Sequence, residues 1–214
     1  MKRHTLLTGL LLFAGAVLPI GAANLVANGS FELGTLGIGS FQGWQTNLGD
    51  ISTFVDSSGQ TGPLYGQAFD GLWAAYFGST AADGGASISQ SLATTIGQQY
   101  LLTFELANDN GGLPPINNFI ATVGAQQAFS FTNLPAQPYT SYQFTFIAAS
   151  NQTPLTLFGS NDNSYLELDD VAVVPVPEPA ALGLLTVGVL LTTLVLRRRP
   201  SISLARISHR LLVA

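Results

Sequence analysis

Tyr142-Gln143-Phe144-Thr145-Phe146 alternates a ring with a polar side chain at every step. A period of two places the three rings on one face of an extended strand and Gln143 and Thr145 on the other. The same period recurs to either side. Tyr100, Leu102, Phe104 and Leu106 share one face of another strand, with Thr103 and Glu105 on its reverse. Ile88, Gln90 and Leu92 alternate with Ser87, Ser89 and Ser91. Residues 119–123 and 128–131 read as a hairpin turning at Gly124-Ala125, and residues 155–158 and 165–174 as two further strands. Nearer the N-terminus, residues 25–31, a short run from Trp44, residues 51–55 and residues 73–77 bring the total to about ten strands. Segments 34–43, 56–71 and 108–117 are dense in Gly, Pro, Ser, Asn and Asp and read as loops. No long helical periodicity and no internal repeat occurs between Asn24 and Val174. The expectation is an all-β, jelly-roll-like antiparallel β-sandwich over residues 24–174, long enough to bury a core.

Charge is distributed unusually. Residues 24–174 contain no Lys, Arg, His or Cys, and every basic residue lies within the first four positions or from Arg197 onward. The middle of the chain carries only acids, among them Glu32, Asp56, Asp70, Glu105, Asp109, Glu167, Asp169 and Asp170. Nucleic acid is excluded as a partner, because its binding needs Lys and Arg to displace counterions. Divalent cations and neutral sugars are compatible with such a surface. No disulfide can staple the domain. Without a His base, a Cys nucleophile or a Lys amine, neither a serine triad nor a typical zinc site can be built. The expectation is therefore a protein that is not an enzyme. Paired carboxylates for glycoside hydrolysis stay formally open, with Glu105 and Asp109 close in sequence.

Both ends point to a membrane. Lys2 and Arg3 precede an apolar stretch, residues 6–18, and Gly21 and Ala23 supply small residues for a cut after Ala23. Residues 1–23 read as a secretory signal peptide, with an uncleaved anchor as the alternative. Residues 175–179 form a Pro-rich linker, and residues 180–196 carry no charge. As a helix that run is about 25 Å long, at the short end of what spans a bilayer. Pro177 and Pro179 prevent its extension upstream, and Arg197, Arg198 and Arg199 mark the cytoplasmic side. Residues 197–214 then form a basic cytoplasmic tail, and everything before Pro177 lies outside the cytoplasm.

The order Val176-Pro177-Glu178-Pro179-Ala180, apolar helix, arginine cluster resembles the sorting tail of the PEP-CTERM exported proteins. The resemblance implies an exosortase-type sorting enzyme as partner. It also implies membrane anchoring before processing, and residence at the cell surface or in the extracellular matrix after it. The chain departs from the family in continuing from Pro200 to Ala214. A plain single-pass anchor is the alternative.

A second resemblance covers the domain itself. Asn24-Leu25-Val26-Ala27-Asn28-Gly29-Ser30-Phe31-Glu32, followed by Gly43-Trp44, is similar to the opening of galactose-binding-like and carbohydrate-binding jelly rolls. Leu168-Asp169-Asp170-Val171-Ala172-Val173 is similar to their closing strand. The resemblance implies that the first and last strands lie close. It also implies that Glu32 and Asp169 contribute to a structural calcium site, with Asp170 and Asn28 weaker candidates; no cofactor is required. Plain exposed acids at strand ends are the equal alternative. Trp44 and Trp73 are the candidate sugar-stacking rings, with Tyr65, Phe69 and Tyr76 behind them and Gln67, Asp70 and Asn117 as hydrogen-bonding partners. Burial of both tryptophans in the core is the competing reading. The expected function is that of an exported cell-envelope or matrix protein with a non-catalytic structural or surface role. The alternative is a module binding carbohydrate such as exopolysaccharide, and a glycoside hydrolase comes third.

Overall fold

The alternating runs pair into two antiparallel sheets packed face to face. The computed structural model describes residues 23–33, 37–38, 41–49, 52–57, 67–109, 114–162, 164–177, 188 and 191. Among these, eleven strands follow in order: β1 (Gly37–Ile38), β2 (Gln45–Asn47), β3 (Thr53–Ser57), β4 (Trp73–Phe77), β5 (Ala86–Ala93), β6 (Gln99–Asp109), β7 (Asn117–Val123), β8 (Gln126–Thr132), β9 (Gln137–Ile147), β10 (Gln152–Asn161) and β11 (Tyr165–Pro175). One sheet has six strands in the order β1-β3-β4-β11-β6-β9, the other five in the order β2-β5-β10-β7-β8. The expected all-β antiparallel sandwich is what forms.

Leu102, Phe104 and Leu106 of β6, Leu166, Leu168, Val171 and Val173 of β11, and Phe119, Ala121, Leu155 and Leu157 of the facing sheet are sealed between the layers. Alternation makes this possible, since one face of each strand is apolar throughout. The rings of β9 do what their period demands. Tyr142 stacks on Phe104 with centroids 5.5 Å apart and meets Phe131 of β8 at 4.9 Å. Phe129 of β8 stands edge-on to Phe104 at 5.3 Å. Aromatic pairs thus close the open flank between the two edge strands β8 and β9. One departure from the expectation is β1, which falls inside the expected loop 34–43, and two others have local causes. β10 runs to either side of the expected 155–158, starting before Pro154, because that residue lies just past the end of β7 and gives its carbonyl to the Gly124 N–H (2.8 Å). The other is at the N-terminus.

Residues 25–31 are expected as a strand but form turns instead. Asn28 and Phe31 have φ of 52° and 58°, which an extended strand cannot contain. The segment still lies against the last strand. Leu25 N–H donates to the Val173 carbonyl at 2.8 Å, and Val171 N–H donates to the Gly29 carbonyl at 3.0 Å. Asn24 Oδ1 accepts from Val173 N–H at 2.9 Å. A Cβ on Gly29 would fall on the Val171 carbonyl oxygen, so only glycine permits this approach. The two ends of the domain therefore meet, as the resemblance implied, through a coil on β11 rather than a paired strand.

The chain separates into Met1–Val176 and Pro177–Ala214. In the second unit Gly188 and Leu191 are helical. The signal peptide up to residue 22, Glu178, Pro179, the rest of residues 180–196 and Arg197, Arg198 and Arg199 lie outside the described residues. Among the described residues, no helix is long and apolar enough to cross a membrane.

Candidate functional site

The outward face of the six-stranded sheet gathers the acids that are buried among the described residues. Residues directly opposite on neighbouring strands share a face, and the register builds two rows. Phe54, Tyr76, Glu167 and Ala107 lie side by side across β3, β4, β11 and β6. One step along, Asp169, Glu105 and Ser141 lie side by side across β11, β6 and β9, and Asp56 faces Ala74 on β3 and β4. Asp56, Glu105, Glu167 and Asp169 are all buried, and Tyr76 is fully buried. Phe54 stacks on Tyr76 at 5.5 Å, and Tyr165 stands edge-on to Phe54 at 5.4 Å.

The segment around residues 69–73 is clasped onto this face by the two carboxylates expected to hold calcium. Asp169, 0% exposed, accepts at Oδ2 from the N–H groups of Phe69 (2.9 Å) and Asp70 (3.0 Å), and at Oδ1 from Asp170 N–H (2.7 Å). The strand makes room for this with a register shift between Asp169 and Ala172, where Asp170 adopts φ 46°. Glu32 Oε1 accepts from the N–H groups of Leu72 and Trp73, both at 2.8 Å. Gly71 sits at φ +66° against the Glu32 carboxylate, where a Cβ would collide. Burial pushes the Asp169 carboxyl up to about 7, against the pull of the three backbone N–H groups and with the Asp170 charge adding to the rise. Asp170, exposed overall, is raised by partial desolvation against the sheet and then by the charge of Asp70.

These residues do not fit a calcium site as arranged. Calcium takes six to eight oxygen ligands, yet three of the four carboxylate oxygens of Glu32 and Asp169 face N–H donors, whose positive ends occupy the place of a cation. Among the described residues, no three acidic or other metal-binding side chains are grouped to hold an ion. Asn28, one of the two weaker candidates, is committed elsewhere: its Nδ2 donates to the Gln42 carbonyl (2.9 Å) and its Oδ1 accepts from Leu33 N–H (3.0 Å).

Of the tryptophans expected to stack on sugar, Trp44 is withdrawn into the core and Trp73 only in part. Trp44 is 8% exposed, stacks on Phe31 at 5.9 Å, and donates its indole N–H to the Asn28 carbonyl at 3.1 Å. Trp73 is half-buried and packs on the core. Asn117 is buried and grips Leu134 from both sides: Nδ2 to the carbonyl (3.0 Å), Oδ1 from the N–H (2.8 Å). Tyr65 lies outside the described residues, and Gln67 and Asp70 are exposed. The ring that does face water is Phe69, 50% exposed and 5.8 Å from Tyr139 of β9. The Tyr139 hydroxyl is buried without a hydrogen bond of ordinary geometry, and its pKa is raised by burial and then by the charge of Glu167.

Beside the clasp the face opens into a groove of about 370 Å3, lined by Thr103, Phe104, Glu105, Ser141, Tyr142, Gln143 and Asp170. The Ser141 hydroxyl donates to Glu105 Oε1. Neutral donors and acceptors next to an exposed ring can hydrogen-bond hydroxyl-rich ligands and stack on an apolar face. Ser141 and Asp170 did not stand out as sugar contacts in the sequence. The alternation did place Thr103, Glu105 and Gln143 on the outward faces of β6 and β9, but the register that joins those faces is non-local.

A family model described as "Protein of unknown function (DUF642)" matches residues 24–176. No curated protein matches the chain. Among solved structures, the chain is similar to TmCBM61, determined in complex with β-1,4-galactotriose, at 13% identity and TM-score 0.54, covering 72% of this chain and 100% of that one. It is also similar to the enzymatically active domain of bacteriophage CBA120 tailspike protein 4, at 14% identity and TM-score 0.49, covering 72% of this chain and 21% of that one. A third is the CBM22-1-CBM22-2 tandem domain of Paenibacillus barcinonensis Xyn10C, at 16% identity and TM-score 0.48, covering 73% of this chain and 47% of that one. The domain has a jelly-roll fold like that of carbohydrate-binding modules, and at these identities the likeness is one of fold alone.

Two outcomes follow for the clasp. A folded-state pKa above the unfolded value means that the native state holds the proton longer, so stability falls as pH rises from about 4 to about 7. Urea midpoints read by tryptophan fluorescence should drop across that window, and Asp169→Asn should flatten the drop. Parallel curves for the two proteins would mean that the N–H groups keep Asp169 ionised throughout. A chelator, or added calcium, should leave the melting temperature unchanged; a rise with calcium that Glu32→Gln abolishes would restore the metal site.

Proposed function

This chain belongs to the DUF642 family, whose model spans residues 24–176, and from that premise we propose that its β-sandwich is a non-catalytic carbohydrate-binding module. The observation that carries the reading is the groove over β6 and β9, where Thr103, Glu105, Ser141, Gln143 and Asp170 line one concavity, with the exposed Phe69 tied to Asp169, the neighbour of Asp170, and its ring against Tyr139, two residues before Ser141 on β9. Pockets of this kind pair a few polar groups with an apolar platform. The jelly-roll likeness supports it, since TmCBM61 carries a β-1,4-galactotriose. A structural role in the envelope does not need such a groove.

Hydrolysis finds no support in the arrangement of the acids. Glu105 and Asp109 lie on the same strand face four residues apart, roughly 13 Å along β6, farther than a catalytic pair allows. Glu105 and Asp169 are cross-strand neighbours, a suitable spacing. Asp169, however, is fully buried and both of its oxygens accept main-chain N–H groups, so no glycosidic oxygen reaches it.

The sequence of the tail supports a proposal for where this module works. The reading is export through the signal peptide, anchoring by residues 180–196 and sorting at Pro177-Glu178-Pro179 by an exosortase-type enzyme, with exopolysaccharide of the envelope as ligand. Support comes from the order of motif, apolar run and Arg197-Arg198-Arg199.

Affinity electrophoresis of the full-length protein through gels containing β-1,4-galactan, β-1,4-xylan or β-1,4-glucan tests the binding. Retardation in at least one gel is expected, and Phe69→Ala or Gln143→Ala should weaken it roughly tenfold, the equivalent of about 1.4 kcal/mol, without loss of folding. Migration unaffected by any glycan, or retardation indifferent to both substitutions, would remove the reading. Mass spectrometry of the protein from its native host should find an N-terminus at Asn24 and a C-terminus near Pro179; an intact Ala214 would leave only the plain anchor.

A further inference from the structure

The groove has carboxylates on its floor and rim and no cation to offset them. Glu105 lies along the floor and exposed Asp170 at the rim. Asp70 stands close enough to Asp170 for its charge to act on that carboxyl. The remaining polar side chains of the lining, Thr103, Ser141, Tyr142 and Gln143, are neutral. Between residues 23 and 177 there is no Lys, Arg or His. No side chain of the domain can therefore receive a carboxylate, sulfate or phosphate by a charge-assisted bond. An anionic sugar entering the groove would meet like charge and lose its hydration without compensation, whereas an ammonium group would meet opposite charge.

Resting on the reading of this groove as a glycan site, we infer that it selects by ligand charge. It rejects acidic glycans and takes amino-sugar glycans with free ammonium groups in preference to their neutral parents, with Asp170 and Glu105 as the specificity-determining residues. Asp170 acts from an exposed position on the bulge of β11, so its contribution is screened by salt. Glu105 is buried, and its carboxylate accepts the hydroxyl of Ser141, its cross-strand neighbour in the lining. Each exposed ion pair changes affinity by roughly 2- to 5-fold, and a ligand presenting several charges along the groove multiplies that step.

Three β-1,4-linked hexasaccharides test this: those of glucosamine, glucose and glucuronic acid, which share one backbone and differ in charge. Titration calorimetry of the full-length protein at low salt and mildly acidic pH, where the amines are protonated and most exposed carboxyls ionised, should rank them in that order. A span of roughly tenfold or more between the first and last is expected. Asp170→Asn should narrow the span several-fold, Glu105→Gln should do the same, and Asp83→Asn, on a distant turn, should leave it intact. Equal affinities, a preference for the glucuronate, or an equal narrowing in Asp83→Asn would overturn charge selection at the groove while leaving glycan binding standing. Failure to bind any of the three, or the gel-borne glycans, would remove the binding reading and this inference with it. Should Glu105→Gln fail to fold, the exposed Asp170→Asn decides.

Discussion

Every carboxylate that this domain takes out of water has to be met by a dipole, because no cationic side chain exists between residues 23 and 177 to meet it. A buried unpaired charge is among the most expensive features a fold can carry. The chain meets that constraint with main-chain N–H groups and hydroxyls. Buried Asp169 takes three N–H groups and buried Glu105 takes the Ser141 hydroxyl, and the same device holds two exposed acids, Glu32 with two N–H groups and Asp162 with the Ala81 N–H at 2.8 Å. Much of the local geometry follows from this. The left-handed residue at Asp170 and the positive φ of Gly71 both belong to backbone that has turned its N–H groups toward an acid.

The same constraint shapes the site. With its N–H groups committed to Glu32 and Asp169, the 69–73 segment is fixed against the outer face and presents Phe69 to solvent at a set height beside the groove. The segment is thus both a partner for buried Asp169 and exposed Glu32 and a mount for an exposed ring. The inner face needs no such devices. There the layers meet through aliphatic and aromatic side chains. The main polar exception is a closed amide network at one end, where Asn161 Nδ2 donates to Asn108 Oδ1 at 3.0 Å and Asn108 Nδ2 donates to the Leu134 carbonyl at 2.7 Å.

The parts of this arrangement legible in the sequence are those set by local periodicity. Tyr142, Phe144 and Phe146, and Tyr100 through Leu106, announce their strands because burial on one face forces the alternation. The turn at Gly124-Ala125 is equally local. The N-terminal segment misleads for the opposite reason. Leu25 and Val26 look like strand residues, but Asn28 and Phe31 take left-handed conformations that no hydrophobic pattern encodes, and Gly29 is there for contact with Val171, far away in sequence. Trp44 looks available for a ligand until its indole N–H is found on the Asn28 carbonyl. The closeness of Glu32 and Asp169 to one shared loop follows from the resemblance of the two ends. That the loop's own amides fill their oxygens could not be read from residue types.

The closing strand has a mechanical meaning. β11 is bonded on one side to β4 and on the other to β6, and the chain leaves it directly at Pro177. Tension applied from that exit pulls β11 along its own length, so the two stretches of its ladder to β6, Tyr165 to Asp169 and Ala172 to Pro175 on either side of the bulge, are loaded in shear. Peeling, in which bonds fail one after another, is not the geometry offered. A domain tethered by this end would bear load along the strand best built to carry it.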